Sequence, residues 1–226
     1  MQSQIESESK TRNLNFLIGI TGSVATIKLD ELINGLVKKF IRINICIIAS
    51  QNSLHFVQDF GKYNQKCPIL AERHKFLKGS ETQEPVIFSF TDEDEWSSWS
   101  KRNDPVLHIE LRKWADVFLI APLGANSLAK ISNGMCDNLL TSVIRAWDIE
   151  NINAKPVIIC PAMNTLMYQH PLTKTQLEFL VEKLGFILID SIEKVLMCGD
   201  SGIGAMAKVE DIIEKTFEIL KSKNIL

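Results

Sequence analysis

Nearly continuous apolar runs recur along the chain and are separated by segments of mixed polarity. The runs are Asn15–Thr21, Ile43–Ala49, Val117–Ala121, Pro156–Cys160 and Phe186–Ile189. A strand covered on both faces of a parallel sheet is apolar throughout, whereas a strand with one solvent-facing side alternates polar and apolar residues. The pattern therefore predicts buried parallel strands at these positions, and Val86–Phe90 is a further candidate strand.

The segments between the runs place apolar residues at helical spacing. Helices are predicted at Ser23–Phe40 and Leu107–Asp116, from Leu128, at Asp137–Trp147 and Thr173–Leu184, and at the end, where Val209, Ile213, Phe217 and Leu220 share a face. Because strands and helices alternate throughout, we expect an α/β fold with a doubly wound parallel sheet.

Two segments interrupt this alternation. The pattern weakens from Gly61 to Asn103, where Asp92–Glu95 followed by Trp96 and Trp99 is interpreted as a solvated loop without chemistry. Leu196–Ala207 combines three glycines with Cys198, which predicts a mobile surface loop and a candidate lid.

Length and composition fit one large globular domain or two small ones, and the predictions treat the folded part as one. The polar residues 1–13 are expected to form a disordered lead-in, and residues 14–226 one domain. The chain has 226 residues, 46% of them hydrophobic, and a net charge of -2, which offers no excess of cations for nucleic acid. No apolar run approaches the roughly 18 residues of a membrane span, and the five cysteines contain no Cys-x-x-Cys pair for zinc. We expect a cytoplasmic protein with free thiols and no metal site.

Small polar residues follow several strands where parallel sheets bind ligands. The strand that ends at Cys160 continues into Pro161–Asn164, and two earlier strands lead to Gly22–Ser23 and to Ser50–Ser53. A helix amino terminus after such a turn favours a phosphate, although ordinary N-capping by Ser23 and Ser53 is the alternative. Gly19-x-x-Gly22 is not the G-x-G-x-x-G fingerprint, which argues against NAD.

Two further residues are candidates for chemistry. His108 lies on or beside an apolar helix face, where a structural role is the alternative to a catalytic one. Cys198 lies in a glycine-rich loop, where a thiol is more reactive than one buried in a strand, although a bystander thiol is the alternative.

Five motifs together resemble the phosphopantothenoylcysteine decarboxylase family, whose members are homo-oligomeric flavin-containing cysteine decarboxylases. The motifs are Gly22-Ser23-Val24-Ala25, His108-Ile109-Glu110-Leu111, Ala121-Pro122-Leu123 through Asn126, Pro161-Ala162-Met163-Asn164 and Cys198-Gly199-Asp200. The resemblance spans roughly residues 14–220. It implies a flavodoxin-like or Rossmann-like three-layer sandwich, bound FMN, a homotrimer with active sites between subunits, and a step of coenzyme A biosynthesis.

The implied chemistry explains the need for a flavin. Decarboxylation of a cysteine whose nitrogen is held in an amide leaves a carbanion without an electron sink. Oxidation of the CH2–SH group by FMN to a thioaldehyde supplies that sink. The resulting enethiol is then reduced by the flavin and protonated on carbon, so that the net reaction is redox neutral.

The resemblance assigns roles to individual residues. His108 would be the base or electrostatic partner, Asn164 would hold the substrate carboxylate, and Cys198 would supply the final proton. Met197 and Met206 would also contact substrate. The expected flavin contacts are Gly22, Ser23, Val24, Asn52, Ser53, Gly124, Ala125, Asn126, Ser127 and Ala162.

Two alternatives remain open. The chain could be a non-catalytic flavin-binding subunit that regulates a protein phosphatase, or a sister flavoenzyme, such as a peptidyl-cysteine decarboxylase or a flavin prenyltransferase. The combination of Pro161–Asn164 with the lid residue Cys198 favours the decarboxylase, because a prenyltransferase needs no thiol to protonate an enethiol.

Overall fold

A central parallel sheet of six strands organises the computed structural model, which describes residues 12–67, 70–78, 84–195 and 201–226. Its strands are β1 (Leu14–Ile20), β2 (Ile43–Ala49), β3 (Ile87–Phe90), β4 (Val117–Leu123), β5 (Val157–Pro161) and β6 (Ile187–Leu188). They lie in the order β3-β2-β1-β4-β5-β6, and every neighbouring pair is parallel. An antiparallel pair, β7 (Ile192–Val195) and β8 (Ser201–Ala205), forms a separate hairpin.

Helices cover both faces of the sheet. They are α1 (Leu29–Lys39), α2 (Leu70–Leu77), α3 (Asp92–Ser97), α4 (Leu107–Trp114), α5 (Ala125–Ser132), α6 (Leu139–Arg145), α7 (Thr165–Gln169), α8 (Pro171–Glu182) and α9 (Val209–Ser222). Helices α1 and α9 pack on the face that receives Phe16 and Ile18, whereas α2, α4, α5, α6 and α8 cover the face that receives Leu17. No helix in these described ranges is long and apolar enough to cross a bilayer.

The predicted strands agree with the structure because their sequences are apolar on both sides. Every residue of β2, β4 and β5 is buried, as the absence of alternation predicted. The predicted α/β class and doubly wound sheet are confirmed. The strand order is that of the Rossmann fold, in which the connection reverses direction between β1 and β4.

Several predicted boundaries need correction. The segment predicted as one helix over Ser23–Phe40 begins with a 3₁₀ turn, Val24–Lys28, before α1. Helix α5 begins at Ala125 rather than at Leu128, because Gly124 is its N-cap and Leu128 donates the first bond of the helix to the carbonyl of Gly124. The early start exposes the first turn of α5 at the end of β4.

Two segments interpreted as loops contain regular structure. Asp92–Ser97 is helix α3, since Thr91 and Asp94 form a capping box that satisfies its first backbone groups. In the glycine-rich segment, Ser201–Ala205 pairs with Ile192–Val195 as a strand, and the predicted residues Met197 and Cys198 lie outside the described ranges. The prediction of loops was therefore wrong for Asp92–Glu95 and for Ser201–Ala205.

The end of the predicted lead-in is attached to the fold. Arg12 makes two hydrogen bonds to the carboxylate of Asp116, at 2.7 and 2.8 Å, and Asn13 donates to the side chain of Asn44 at 3.1 Å. Asp116 also accepts the backbone N–H of Asn15 at 2.9 Å. Ordered structure therefore begins at least two residues before the predicted domain start at Leu14.

Candidate active site

A polar cavity of about 220 Å³ lies where the carboxyl ends of β1, β2 and β4 meet. Open α/β sheets bind ligands at this edge, beside the point where the strand order reverses. Five of the ten residues predicted to bind the cofactor line the cavity, namely Gly22, Asn52, Gly124, Asn126 and Ser127. The structure thus brings together residues that are up to 105 positions apart in the sequence.

Close backbone approach shapes the floor of this cavity. A Cβ added to Gly22 would lie 2.8 Å from the Cβ of Asn52, and a Cβ added to Gly124 would lie 3.3 Å from the hydroxyl of Thr21. The buried Thr21 hydroxyl donates to the carbonyl of Pro122 at 2.8 Å and accepts from the backbone N–H of Gly124 at 2.7 Å. Glycine at positions 22 and 124 therefore lets the strand ends approach, and the backbone of Gly22 is exposed to a ligand.

The first turn of α5 offers the cavity backbone hydrogen-bond donors, beside the carboxylates of Asp92 and Asp137 in its lining. Asn126 and Ser127 lie in that turn, whose leading N–H groups have no partner within the helix. Such groups bind phosphate or carboxylate oxygens. Lys130 also lines the cavity and donates to Asp137 at 2.5 Å, so its charge is shared with a neighbouring carboxylate.

The other predicted cofactor residues have mainly local contacts. The Ser23 hydroxyl oxygen accepts the backbone N–H of Ala25 at 3.4 Å, and the buried Ser53 hydroxyl donates to the carbonyl of Ser50 at 2.6 Å. Ser23 thus has the capping role that was the alternative to phosphate binding. The remaining predicted contacts lie close to the three strand ends: Val24 is part-exposed in the turn after β1, Ala125 begins α5, and Ala162 is buried directly after β5.

Asn164 lies beyond β5, where it caps a short helix. Its side-chain carbonyl accepts the backbone N–H of Leu166 at 2.9 Å at the start of α7. Strand β8 covers this turn, since the backbone N–H of Met163 donates to the carbonyl of Gly204 at 2.9 Å. Met206, a predicted substrate contact, is 7% exposed and belongs to the core beside α9.

His108 is bound by a carboxylate that the sequence analysis did not single out. Its ring Nδ1 lies 2.6 Å from Oε1 of Glu95, and its backbone N–H donates to Oε2 of the same residue at 3.0 Å. Neither His108 nor Asn164 is among the described residues that line the polar cavity. The candidate residues thus lie at three places: the polar cavity, the turn at Asn164 that β8 covers, and the His108–Glu95 pair.

The sequence did not point to several residues that line the polar cavity. Asp92, Lys130, Asp137 and Asn138 line the cavity. Burial raises the pKa of Asp92, although its carboxylate accepts the backbone N–H of Leu139 at 2.8 Å. The available signal was Thr91 followed three residues later by Asp94, which resembles a capping box and would have placed the acidic run on a helix.

Comparison with known proteins identifies the family. The sequence model named Flavoprotein matches residues 4–221 of the chain. The chain belongs to the Flavoprotein family. This flavoprotein is 41% identical to the phosphopantothenoylcysteine decarboxylase of Mus musculus over 212 residues, which cover 94% of the chain and 90% of that relative.

Solved structures agree with this assignment. The flavoprotein matches a mutant PPC decarboxylase complexed with pantothenoylaminoethenethiol at 42% identity and a TM-score of 0.75, over 93% of the chain and all of that structure. It also matches the FMN-binding protein AtHal3 at 42% identity and a TM-score of 0.73, over 93% of the chain and 98% of that structure. The predicted resemblance to the phosphopantothenoylcysteine decarboxylase family and the predicted fold are confirmed.

Proposed function

We propose that this chain catalyses the FMN-dependent decarboxylation of 4'-phosphopantothenoylcysteine to 4'-phosphopantetheine in coenzyme A biosynthesis, in the cytoplasm. The observation that carries the proposal is the 42% identity, over 93% of the chain, to a PPC decarboxylase that was solved with pantothenoylaminoethenethiol bound. That ligand is named as an enethiol, the class of intermediate that the chemistry of an amide-linked cysteine requires. The Asn164 turn and the carboxylate-bound His108 supply groups suited to this chemistry.

The polar cavity fits the phosphate-bearing side of FMN. Its floor is kept open by glycine at positions 22 and 124, and its wall includes the first turn of α5. Gly22, Asn52, Asn126 and Ser127 would hold the phosphate and ribityl oxygens, and the remaining predicted contacts lie in the adjoining turns. When bound, the flavin would accept an electron pair from the thiol-bearing carbon and later return it.

The three proposed catalytic residues would each act on one part of the substrate. Asn164 would donate its amide to the substrate carboxylate, which orients that group without the full charge that would overstabilise the bound substrate. His108 would accept a proton while the thioaldehyde forms. Cys198 would protonate the enethiol carbon, since a thiol with a pKa of about 8.5 is mostly protonated at neutral pH.

A homotrimer with sites between subunits would bring these groups together. His108 and Asn164 belong to different elements of the chain, and a large apolar side chain is exposed near Asn164 and next to Glu95, the partner of His108. Trp96, next to Glu95, is 82% exposed, and Leu166, whose N–H is bound by Asn164, is 75% exposed. Trp99 and Met167 are exposed beside them, and neighbouring exposed apolar side chains favour contact with another protein surface. A second copy of the chain would complete the site.

Replacing the proposed proton donor should change the product. In Cys198→Ser, we expect the purified protein to release CO2 but to accumulate the enethiol, because a serine hydroxyl is a far weaker acid than a thiol. Mass spectrometry distinguishes this enethiol from phosphopantetheine by the two missing hydrogens. Cys136→Ser is the matched control, since Cys136 is an exposed free thiol and should leave the product unchanged. Formation of phosphopantetheine by Cys198→Ser at the wild-type rate would contradict the role of Cys198.

A further inference from the structure

Glu95 holds His108 at two points of the same residue. One carboxylate oxygen lies 2.6 Å from ring Nδ1, and the other accepts the backbone N–H of His108 at 3.0 Å. The Glu95 side chain is 14% exposed and that of His108 is 27% exposed, so the pair is partly shielded from water. Two contacts to one carboxylate fix both the position of the backbone and the rotation of the imidazole ring.

This geometry determines which ring nitrogen carries the hydrogen when the imidazole is neutral. An ionised carboxylate has acceptors only, so the contact requires a hydrogen on Nδ1. In the neutral ring, Nε2 then keeps its lone pair, and within the described residues it has no hydrogen-bond partner. Nε2 is therefore the atom of His108 that remains available to accept a proton.

The short helix that carries Glu95 is anchored on both sides. Asp94 pairs with the buried guanidinium of Arg73 at 3.1 Å, and Arg73 also donates to the carbonyl of Ser89 at 2.5 Å. Asp92 accepts the backbone N–H of Leu139 at the start of α6. Three of the four consecutive acidic residues in α3 thus have specific partners, and these contacts hold Glu95 in place relative to α4.

We propose that Glu95 is a positioning residue that holds His108 as the Nδ1–H tautomer and presents Nε2 to the substrate. The proposal rests on the proposed function, in which His108 acts on the substrate. It assigns a role to an acidic run whose sequence alone resembles a solvated loop.

Glu95→Gln removes the charge of this side chain and one of its two acceptors but keeps its size. Glutamine offers one acceptor where glutamate offers two. Its carbonyl is expected to pair with the backbone N–H of His108, which places its NH2 against Nδ1 and favours the Nε2–H tautomer. We expect kcat to fall about 10²-fold, because the general base is blocked, with KM nearly unchanged.

The tautomer can be read directly from ring ¹⁵N spectra of flavin-loaded protein labelled at histidine. The His108 signals are those missing from His108→Asn. We expect wild type to show protonated Nδ1 and bare Nε2, and Glu95→Gln to show the reverse. Glu93→Gln is the matched control, because Glu93 lies on the same helix and is exposed, and both its spectrum and its rate should be those of wild type.

The outcomes are distinguishable from failure of the proposed function. An unchanged ring spectrum in Glu95→Gln, or an unchanged kcat, overturns the positioning role of Glu95. If the wild-type chain releases no CO2, the proposed function fails, and the ring spectra alone then decide whether Glu95 sets the tautomer.

Discussion

Asn164→Asp is expected to lower kcat for CO2 release by about 10³-fold while leaving the fold intact, the size of effect seen when one donor to a developing charge is removed. The amide of Asn164 would donate to the carboxylate that leaves, whereas an aspartate at this position would repel it. The helix cap survives the change, because an aspartate oxygen can still accept the backbone N–H of Leu166. The loss should therefore appear in catalysis and not in the thermal unfolding midpoint.

A second Asn→Asp substitution separates this effect from a change in net charge. Asn153 is exposed and its side-chain carbonyl accepts from Lys223, so Asn153→Asp adds the same charge at a surface position that does not line the polar cavity. We expect wild-type kcat and flavin content in this control. A wild-type rate in Asn164→Asp would refute the proposed contact between Asn164 and the substrate carboxylate.

Gly22→Ala is expected to weaken flavin binding at least tenfold, or about 1.4 kcal/mol. The added Cβ would lie 2.8 Å from the Cβ of Asn52, which is closer than two carbon atoms can pack, so the turns after β1 and β2 must separate. Both turns contribute to the lining of the polar cavity. The same clash strains the flavin-free protein, so its free energy of unfolding should fall by about 1–3 kcal/mol, and flavin affinity is compared at a temperature where both proteins are folded.

Flavin titration followed by visible absorbance or quenched fluorescence measures this effect. Gly61→Ala is the matched control, since its added Cβ would make an ordinary contact of 3.4 Å with the side chain of Asp59, outside the cavity. It should bind flavin like wild type. Equal flavin affinity in Gly22→Ala and wild type would contradict the placement of the flavin at this cavity.

The sheet could be predicted because its strands carry a strong local signal. A strand buried on both faces is apolar almost throughout: β4 (Val117–Leu123) is apolar at every position, and β2 (Ile43–Ala49) at every position except Asn44. Helix α9 likewise has an apolar face that is visible at helical spacing.

The missed elements depend on contacts that are distant in sequence. Helix α3 has four acidic residues and no buried residue, so no hydrophobic pattern marks it. Its position depends on Arg73 and on the amino terminus of α6, which lie 21 and 47 residues from their partners Asp94 and Asp92. Strand β8 contains two glycines and is recognisable only through its pairing with β7.

The candidate site could be predicted only in part from the sequence. Gly22, Asn52 and Asn126 follow strands, and parallel strands bring their ends to one edge. The partner of His108 was not predictable, because Glu95 is 13 residues away and belongs to the helix that the sequence pattern concealed. Local sequence patterns thus locate the strand ends, whereas contacts between distant segments, such as that of Glu95 with His108, can be found only from the folded structure.

The most direct test of the central claim is CO2 release by the purified, flavin-loaded chain supplied with 4'-phosphopantothenoylcysteine alone. We predict stoichiometric CO2 and phosphopantetheine, with much slower turnover of a peptide that ends in cysteine. Absence of CO2 from phosphopantothenoylcysteine while flavin remains bound would contradict the proposed decarboxylase function.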